Sequence, residues 1–191
     1  MAARFSTPSY LALTAAIVAT AAVTLFFMGQ VPICKCGYVK LWHGVVSSSE
    51  NSQHVADWYS FSHVIHGFAF YGLLWLAARH WPFGLRLAIA MLLEASWEIF
   101  ENTDFTINRY RSVTISLDYY GDSVLNSVCD MLMMAAGFFV ASRLPVWIIV
   151  ALVIGLEAFV AYWIRDNLTL NVIMLIYPLD AIRAWQMGGA P

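Results

Sequence analysis

The chain has 191 residues, of which 61% are hydrophobic and 12% are charged, with a formal net charge of −2. A composition this apolar excludes an ordinary soluble domain, and the scattered basic residues exclude the basic stripe of a nucleic-acid-binding protein. At roughly 20 residues per crossing, the length predicts an all-α, polytopic transmembrane helix bundle of about five to six helices, forming a single membrane domain over 1–191.

Apolar runs and the polar turns between them predict the spans in chain order. The first run is read as a signal anchor, because it is long and has no small-x-small cleavage site before its polar edge. The last run is short and broken by Asn171 and Pro178, which predicts a sixth crossing, a re-entrant piece or an interfacial helix. The predicted spans are 10–28, 61–78, 85–100, 122–142 and 146–164, with the short run at 168–182 and polar loops at 29–60 and 102–121.

The first polar loop carries Cys34 and Cys36. A Cys-x-Cys pair fits zinc-ligand spacing poorly, and a disulfide across one residue would be strained. We therefore expect two free thiols, with a disulfide or a metal clip as alternatives. The basic residues divide about evenly between the two sides of the membrane, so they do not fix the orientation. The hydrophobic first helix after the lone Arg4, and the long loop that follows it, favour a cytoplasmic N-terminus.

Ionisable residues recur at helical spacing on the second and third predicted spans. His63 and His66 are three residues apart and therefore share one side of a helix. Glu94, Glu98 and Glu101 are spaced by four and three residues, which places the three carboxylates in one stripe. Each of the two spans is therefore predicted to carry one polar face.

The fourth span repeats the pattern with Asp122, Asn126 and Asp130 at four-residue steps. An ionised group at the middle of a bilayer costs on the order of 2.5–3.5 kcal/mol, so such groups face the bundle interior or water. The three stripes are therefore predicted to meet in one site. Three more polar residues lie close enough in sequence to support it: His54, Asp57 and Asp118.

A second polar element is the pair Arg109 and Arg111 in the loop between the third and fourth spans. Two guanidinium groups can hold a phosphate or carboxylate by paired donors. The alternative is nonspecific contact with lipid headgroups, which is usual for arginines that flank a span. Both interpretations place these residues near the predicted acidic site.

Several segments resemble an uncharacterised family of alphaproteobacterial inner-membrane proteins, catalogued as domain of unknown function two-five-eight-five. The resemblance covers most of the chain after the first helix and implies the fold class and the location, but no activity. A looser similarity extends to the VanZ-like and YjdF-like membrane proteins. The segments that carry it are Cys34–Gly37, Asn51–His54, Asp57–Tyr59, His63–Gly67, Trp97–Asn102, Arg109–Arg111, Tyr120–Ser123, Asn126, Ser127, Asp130 and Leu168–Asn171.

Imidazole and carboxylate groups on facing helices suit a divalent transition metal. The first hypothesis is therefore a membrane enzyme that binds a divalent metal and acts on a lipid or a lipid-linked phosphate. Its predicted catalytic residues are His66, Glu98, Asp122 and Asp130. Its predicted metal ligands are His63, His66, Glu94 and Glu98. Its predicted substrate-binding residues are Arg109, Arg111 and Asn126, with His54, Asp57, Glu101, Asn102 and Asp118 in support.

Two further hypotheses use the same stripes. Without a metal, neighbouring carboxylates and imidazoles can pass protons, which predicts a small proton-coupled transporter or channel. Polar groups can also satisfy one another and fix the helix register, which predicts a non-catalytic assembly or scaffold protein. Every hypothesis places the chain in the cell inner membrane with membrane lipid as a partner and no nucleic acid, and the sequence leaves the oligomeric state open.

Overall fold

A computed structural model describes residues 7–188, which leaves Arg4 outside the described residues. This part of the chain contains helices and no named strand, as the all-α prediction requires. The helices, in chain order, are α1 Thr7–Phe27, α2 Ser60–Ala78, α3 Phe83–Glu101, α4 Asp104–Val113, α5 Val124–Ala141, α6 Val146–Ile164, α7 Leu168–Ile176 and α8 Asp180–Met187.

Four helices, α1, α2, α5 and α6, are long and apolar enough to cross a membrane. Large apolar side chains cover their outer surfaces, as on α6, where Val146, Trp147 and Ile154 are all more than 60% exposed. Helix α3 is as long as α2 and α6. It carries Arg86 and three glutamates, so its composition alone does not mark it as a span. The long apolar helices and their exposed apolar surfaces are those of a membrane protein.

The centre of the bundle depends on a close crossing of α2 and α5. A Cβ atom added to Gly67 would lie 2.5 Å from the nitrogen of Phe138 and 2.9 Å from the carbonyl carbon of Gly137. A Cβ atom on Gly137 would collide with the backbone of Val64. Small residues allow helix backbones to approach in this way. The crossing holds the first turns of α2 beside the first turns of α5.

One predicted segment differs from the structure, and the structure describes another that the sequence left open. The polar stretch 102–121 was expected to be a loop, but it contains α4, whose cap Thr103 accepts a hydrogen bond from the backbone N–H of Thr106. The short apolar run 168–182 forms two helices of 9 and 8 residues, α7 and α8. Each is far below the roughly 20 residues of a crossing, because Pro178 interrupts the run.

The first loop is ordered by turns and by contacts with the helix ends. Cys34 and Cys36 are joined in a disulfide, so the expectation of two free thiols was wrong. A tight turn, in which the N–H of Gly37 donates to the carbonyl of Cys34, brings the two cysteines together. Further along, the N–H of Ser123 donates to the carbonyl of Ser52, which ties the loop to the start of α5.

Candidate functional site

The three predicted stripes meet at one end of the bundle, where α2 and α5 begin and α3 ends. His63 lies in the first turn of α2, Glu98 in the last turn of α3, and Asp130 in the second turn of α5. At 1.5 Å per residue, these groups lie within roughly 10 Å of their helix ends. The site is therefore shallow in the bundle, beneath the ordered first loop.

Glu94 is a fully buried carboxylate, with 0% exposure, and it contacts both histidines of α2. Its Oε1 atom lies 2.5 Å from Nδ1 of His63, and its two oxygens lie 3.2 and 3.1 Å from Nδ1 of His66. A carboxylate accepts hydrogen bonds, so both imidazoles carry their proton on Nδ1 and donate it to Glu94. In the neutral form of each histidine, this tautomer leaves the Nε2 lone pair available.

His63 also contacts the other two stripes. Its Nε2 atom lies 3.8 Å from Oδ2 of Asp130, and its Nδ1 atom lies 3.4 Å from Oε1 of Glu98. Asp130 is further held by Ser60, whose hydroxyl donates to Oδ1 at 2.9 Å. The three stripes were predicted to point inward, and in the structure residues from all three lie close to the imidazole of His63.

The residues present fit a divalent cation. Two sets of donors lie within 4.8 Å of one another: His63, His66 and Glu94, and His63, Glu98 and Glu101. Bonds of about 2.1 Å place two ligands of one tetrahedral ion about 3.4 Å apart, close to the separation of His63 Nε2 from Asp130 Oδ2. Oε1 of Glu98 is buried without a hydrogen-bond partner among residues 7–188. A buried carboxylate oxygen left in this state is costly unless a cation or a proton completes it.

A small polar cavity of about 30 Å³ adjoins the cluster. This is room for one water molecule with several polar partners. Its walls include side chains from five helices and from both loops. They are Asn51, Ser52, Tyr59, His63, Glu101, Tyr110, Ser116, Tyr119, Asp122, Asp130 and Asn171.

A larger groove of about 470 Å³ opens beside the same cluster, within the usual range for ligand sites. Its outer part is apolar and is lined by Phe70, Leu93 and Trp97. Its inner wall is polar and shares five residues with the small cavity. They are Tyr59, His63, Glu101, Tyr110 and Asn171.

Asp122 and Asn102 join the end of α3 to the start of α5. The Asn102 amide donates to Oδ2 of Asp122 at 2.8 Å, and the Asp122 N–H donates to Oδ1 of Asn102 at 2.6 Å. Burial raises the pKa of Asp122 to about 6, although the bonds from Asn102 and Tyr119 oppose the shift. The Asp122 carboxylate is thus largely occupied in holding the helix ends together. Asp118, which was expected beside it, is exposed.

Three predicted site residues anchor the first loop. Asn126 donates to the carbonyl of His54 at 2.9 Å, and Asp57 accepts from the N–H of Tyr59 at 2.7 Å. The His54 ring is fully buried, with Nδ1 accepting from the N–H of Lys40 and Nε2 facing Glu50 at 3.0 Å. These bonds position the loop above the cluster.

Glu50 is the charged centre of that anchor. Lys40 donates to it at 2.6 Å and the Tyr38 hydroxyl at 2.9 Å. The hydrogen bond from Lys40, followed by those from His54 and Tyr38, lowers the pKa of Glu50 to about 2. Cys34, Cys36, Glu50 and His54 also lie within metal-ligand distance of one another. Here the Lys40 ammonium already balances the carboxylate, and both ring nitrogens of His54 have partners.

The two arginines do not form a pair. They are two residues apart on α4, so their side chains leave opposite sides of the helix. Arg109 faces α7, where its Nε atom donates to the carbonyl of Leu175 at 3.0 Å. Arg111 stacks over the ring of Tyr120 at 4.6 Å. Arg109 borders an apolar groove.

The sequence interpretation missed Tyr59, Tyr110 and Ser60 as members of the site. It also gave little weight to Asp166, which is fully buried and accepts hydrogen bonds from Tyr59 at 3.1 Å and Gln186 at 3.0 Å. The available signal was the position of Tyr59 and Ser60, which lie between Asp57 and His63 in the sequence.

The sequence of the chain matches a family of proteins and several relatives in bacteria. The model of a family described as "Protein of unknown function (DUF2585)" matches residues 25–188. A UPF0314 protein of Paracoccus denitrificans is 62% identical over 170 residues, which cover 89% of this chain and 88% of the relative. UPF0314 proteins of Sinorhizobium fredii and Novosphingobium aromaticivorans are 61% and 56% identical, each over 172 residues covering 87% of the relative and 90% and 87% of this chain.

No solved structure matches the chain significantly. The more distant similarity to VanZ-like and YjdF-like proteins stays an expectation, because these matches do not bear on it. The family model covers most of the chain, including every residue of the cluster. This chain therefore belongs to the DUF2585 family of proteins of unknown function.

Proposed function

We propose that the protein is a membrane enzyme that uses a divalent metal to hydrolyse an ester bond in a lipid or a lipid-linked phosphate. One observation carries the proposal: a water-sized polar cavity and a groove with an apolar outer part share a wall that includes His63, Glu101 and Tyr110. Water and a lipid ester could meet only where such compartments adjoin, because the hydrocarbon core itself is dry.

The metal would be held by the Nε2 atoms of His63 and His66. A side-chain rotation would bring Asp130 or Glu98 to the same ion, because of the two histidines each of them contacts only His63 in the structure. Glu94 would act as a positioning residue, since both of its oxygens accept Nδ1–H bonds from the two histidines. A carboxylate behind a ligating imidazole fixes its tautomer and orientation. This role differs from the direct ligation expected for Glu94 from the sequence. A bound divalent ion would lower the pKa of a water molecule and supply a nucleophile near neutral pH.

The remaining chemistry is proton transfer. The water oxygen forms the new bond to the ester centre, the ester oxygen leaves, and one proton must pass from the water to the leaving oxygen. Glu101 and Tyr110 border both the small cavity and the groove, so they are placed for that transfer. A general acid or base must lie within hydrogen-bond reach of both partners.

We place the enzyme in the cell inner membrane, with its N-terminus in the cytoplasm and membrane lipid as its substrate source. Bundles of apolar helices satisfy all backbone hydrogen bonds internally, which suits this membrane. The four long apolar helices support a membrane location.

The test is metal content and lipid turnover with matched variants. We expect about one divalent ion per purified chain, its loss in His66→Ala, and altered membrane lipids in cells that carry His66→Ala or Glu98→Gln. His80→Ala is the control, because His80 lies in the exposed turn after α2. Absence of metal together with unchanged lipids in both variants would sink the proposal. Proton flux into proteoliposomes that is lost in Glu98→Gln would favour a transporter instead.

A further inference from the structure

A second apolar groove, of about 250 Å³, continues from the first along α4 and α7. The two grooves share Trp97, Phe100 and Val172, so they form one branched surface. Trp97 and Phe100 belong to α3, whereas Val172 belongs to α7. The branch point lies at the end of the bundle that contains the histidine and carboxylate cluster.

The first branch follows α3 away from the branch point. Leu93 and Phe100, which both line it, are seven residues apart, or about 10 Å along the helix. Phe70 lies one turn beyond His66 on α2, so the apolar wall continues inward past the histidine. Leu93 and Phe100 are each 47% exposed at the surface of the bundle. An acyl chain could enter this branch sideways from the bilayer.

The second branch differs from the first because a positively charged side chain lines it. Phe105, Leu175 and Ile176 give it apolar walls, and Arg109 is its charged residue. Among residues 7–188, Arg109 makes no salt bridge, and its one hydrogen bond uses Nε, which leaves the two terminal nitrogens for a ligand. A guanidinium beside apolar walls favours a phosphate that is attached to hydrocarbon. Tyr110, the next residue, lines the polar end of the first branch.

We propose that the branched groove binds a two-chain phospholipid with an anionic phosphate monoester headgroup. One chain lies along Leu93 and Phe70, the other lies along Leu175 and Ile176, and the phosphate contacts Arg109. This inference rests on the proposed function and specifies its substrate class. It also assigns the anion-binding role to Arg109 alone, because Arg111 stacks over Tyr120 on the other side of α4.

The test is lipid binding to the purified chain in detergent, measured by native mass spectrometry. The probes are dioleoyl phosphatidic acid, dioleoyl phosphatidylcholine, a monoacyl phosphatidic acid and inorganic phosphate. We expect phosphatidic acid to bind at least tenfold more tightly than phosphatidylcholine, and inorganic phosphate not to bind measurably. If inorganic phosphate alone binds tightly, Arg109 binds a free anion and not a lipid headgroup, which would overturn the proposal.

Matched variants separate the parts of the groove. Arg109→Gln should reduce phosphatidic acid binding about tenfold, whereas Arg111→Gln should leave it unchanged. Leu175→Trp should weaken binding of the two-chain lipid but retain the monoacyl lipid. Leu132→Trp is its control, because Leu132 is 55% exposed on α5 and lines neither branch. If Leu175→Trp does not fold, Ile176→Trp replaces it. Equal binding of the two diacyl lipids, or no effect of Arg109→Gln, would contradict the inference.

Lipid binding measured on His66→Ala, which removes a proposed metal ligand, separates this inference from the proposed function. If the metal or the hydrolysis is absent but phosphatidic acid still binds through Arg109, only the proposed function fails. If the metal and the hydrolysis are present but the Arg109 and Leu175 variants bind lipid normally, only the branched groove fails.

Discussion

Gly67 on α2 and Gly137 on α5 meet where the two helices cross, and a Cβ atom on Gly67 would lie 2.9 Å from the carbonyl carbon of Gly137. The contact is directly after His66 and one turn from His63 on α2, and it is about two turns from Asp130 on α5. It therefore sets the separation between the imidazoles of one helix and the carboxylate of the other.

Replacing Gly67 with alanine should force α2 and α5 apart. We expect Gly67→Ala to lower the free energy of unfolding by about 1–3 kcal/mol, because overpacking in a closely packed interior shifts the backbone. The measurement is thermal unfolding in detergent. Gly72→Ala is the matched control, since a Cβ atom there meets nothing within 4 Å. Equal stability of the two variants would show that the helices are not in close contact at Gly67.

Replacing Glu94 with glutamine should weaken the proposed metal site while the bundle stays folded. The glutamine oxygen can accept a hydrogen bond from the Nδ1–H of one histidine, but its amide N–H groups then face the Nδ1–H of the other. One histidine therefore loses its orientation. Loss of such a carboxylate typically lowers metal affinity 10–100-fold. Titration with Zn²⁺ or Co²⁺, compared with His66→Ala, measures the effect. Complete loss of binding in Glu94→Gln, as in His66→Ala, would instead make Glu94 a direct ligand.

Asp166 should make stability depend on pH. Burial raises its pKa to about 6 from an ordinary value of 3.8, although hydrogen bonds from Asn167, Asn171 and Tyr59 oppose the shift. The folded protein therefore holds the Asp166 proton more tightly than the unfolded chain does. Its contribution is greatest below pH 4 and is lost as the pH rises to about 6, by up to about 3 kcal/mol.

Unfolding midpoints measured in detergent from pH 4 to pH 7.5 check this prediction. Asp166→Asn should remove the part of the slope that lies between pH 4 and pH 6. Asp118→Asn, at an exposed position, should keep the wild-type slope. An unchanged slope in Asp166→Asn would show that other groups produce the pH dependence.

Glu157 should stabilise α7, which forms one side of the branched groove. Its Oε1 atom accepts from the N–H of Leu168 at 3.1 Å, and its Oε2 atom accepts from the N–H of Thr169 at 3.0 Å. Because the first N–H groups of a helix need acceptors, Glu157→Ala should cost about 1 kcal/mol of stability. Thermal unfolding in detergent measures the loss. Glu157→Gln, which keeps one acceptor oxygen, should retain about half of the contribution, and identical losses in the two variants would argue against capping.

The sequence determined that this chain is a helical membrane protein and that the ionisable residues in the three stripes point inward. The physical reason is the cost of placing charge in hydrocarbon, combined with helical periodicity. This reasoning predicted that the stripes meet, and His63 does lie within 4 Å of both Glu98 and Asp130. It also gave the family, because the matching segments are local and contiguous.

Only the tertiary structure decided which groups contact one another. Periodicity fixes a direction around one helix axis, but neighbouring helices can still rotate and slide, and the contact between Gly67 and Gly137 sets that register. Bonds from side chains to backbone are likewise absent from any residue pattern, so the anchoring contacts of Asp57 and Asn126 could not be predicted. The separation of Arg109 from Arg111 followed once the polar loop folded as a helix, because residues two apart on a helix point in opposite directions.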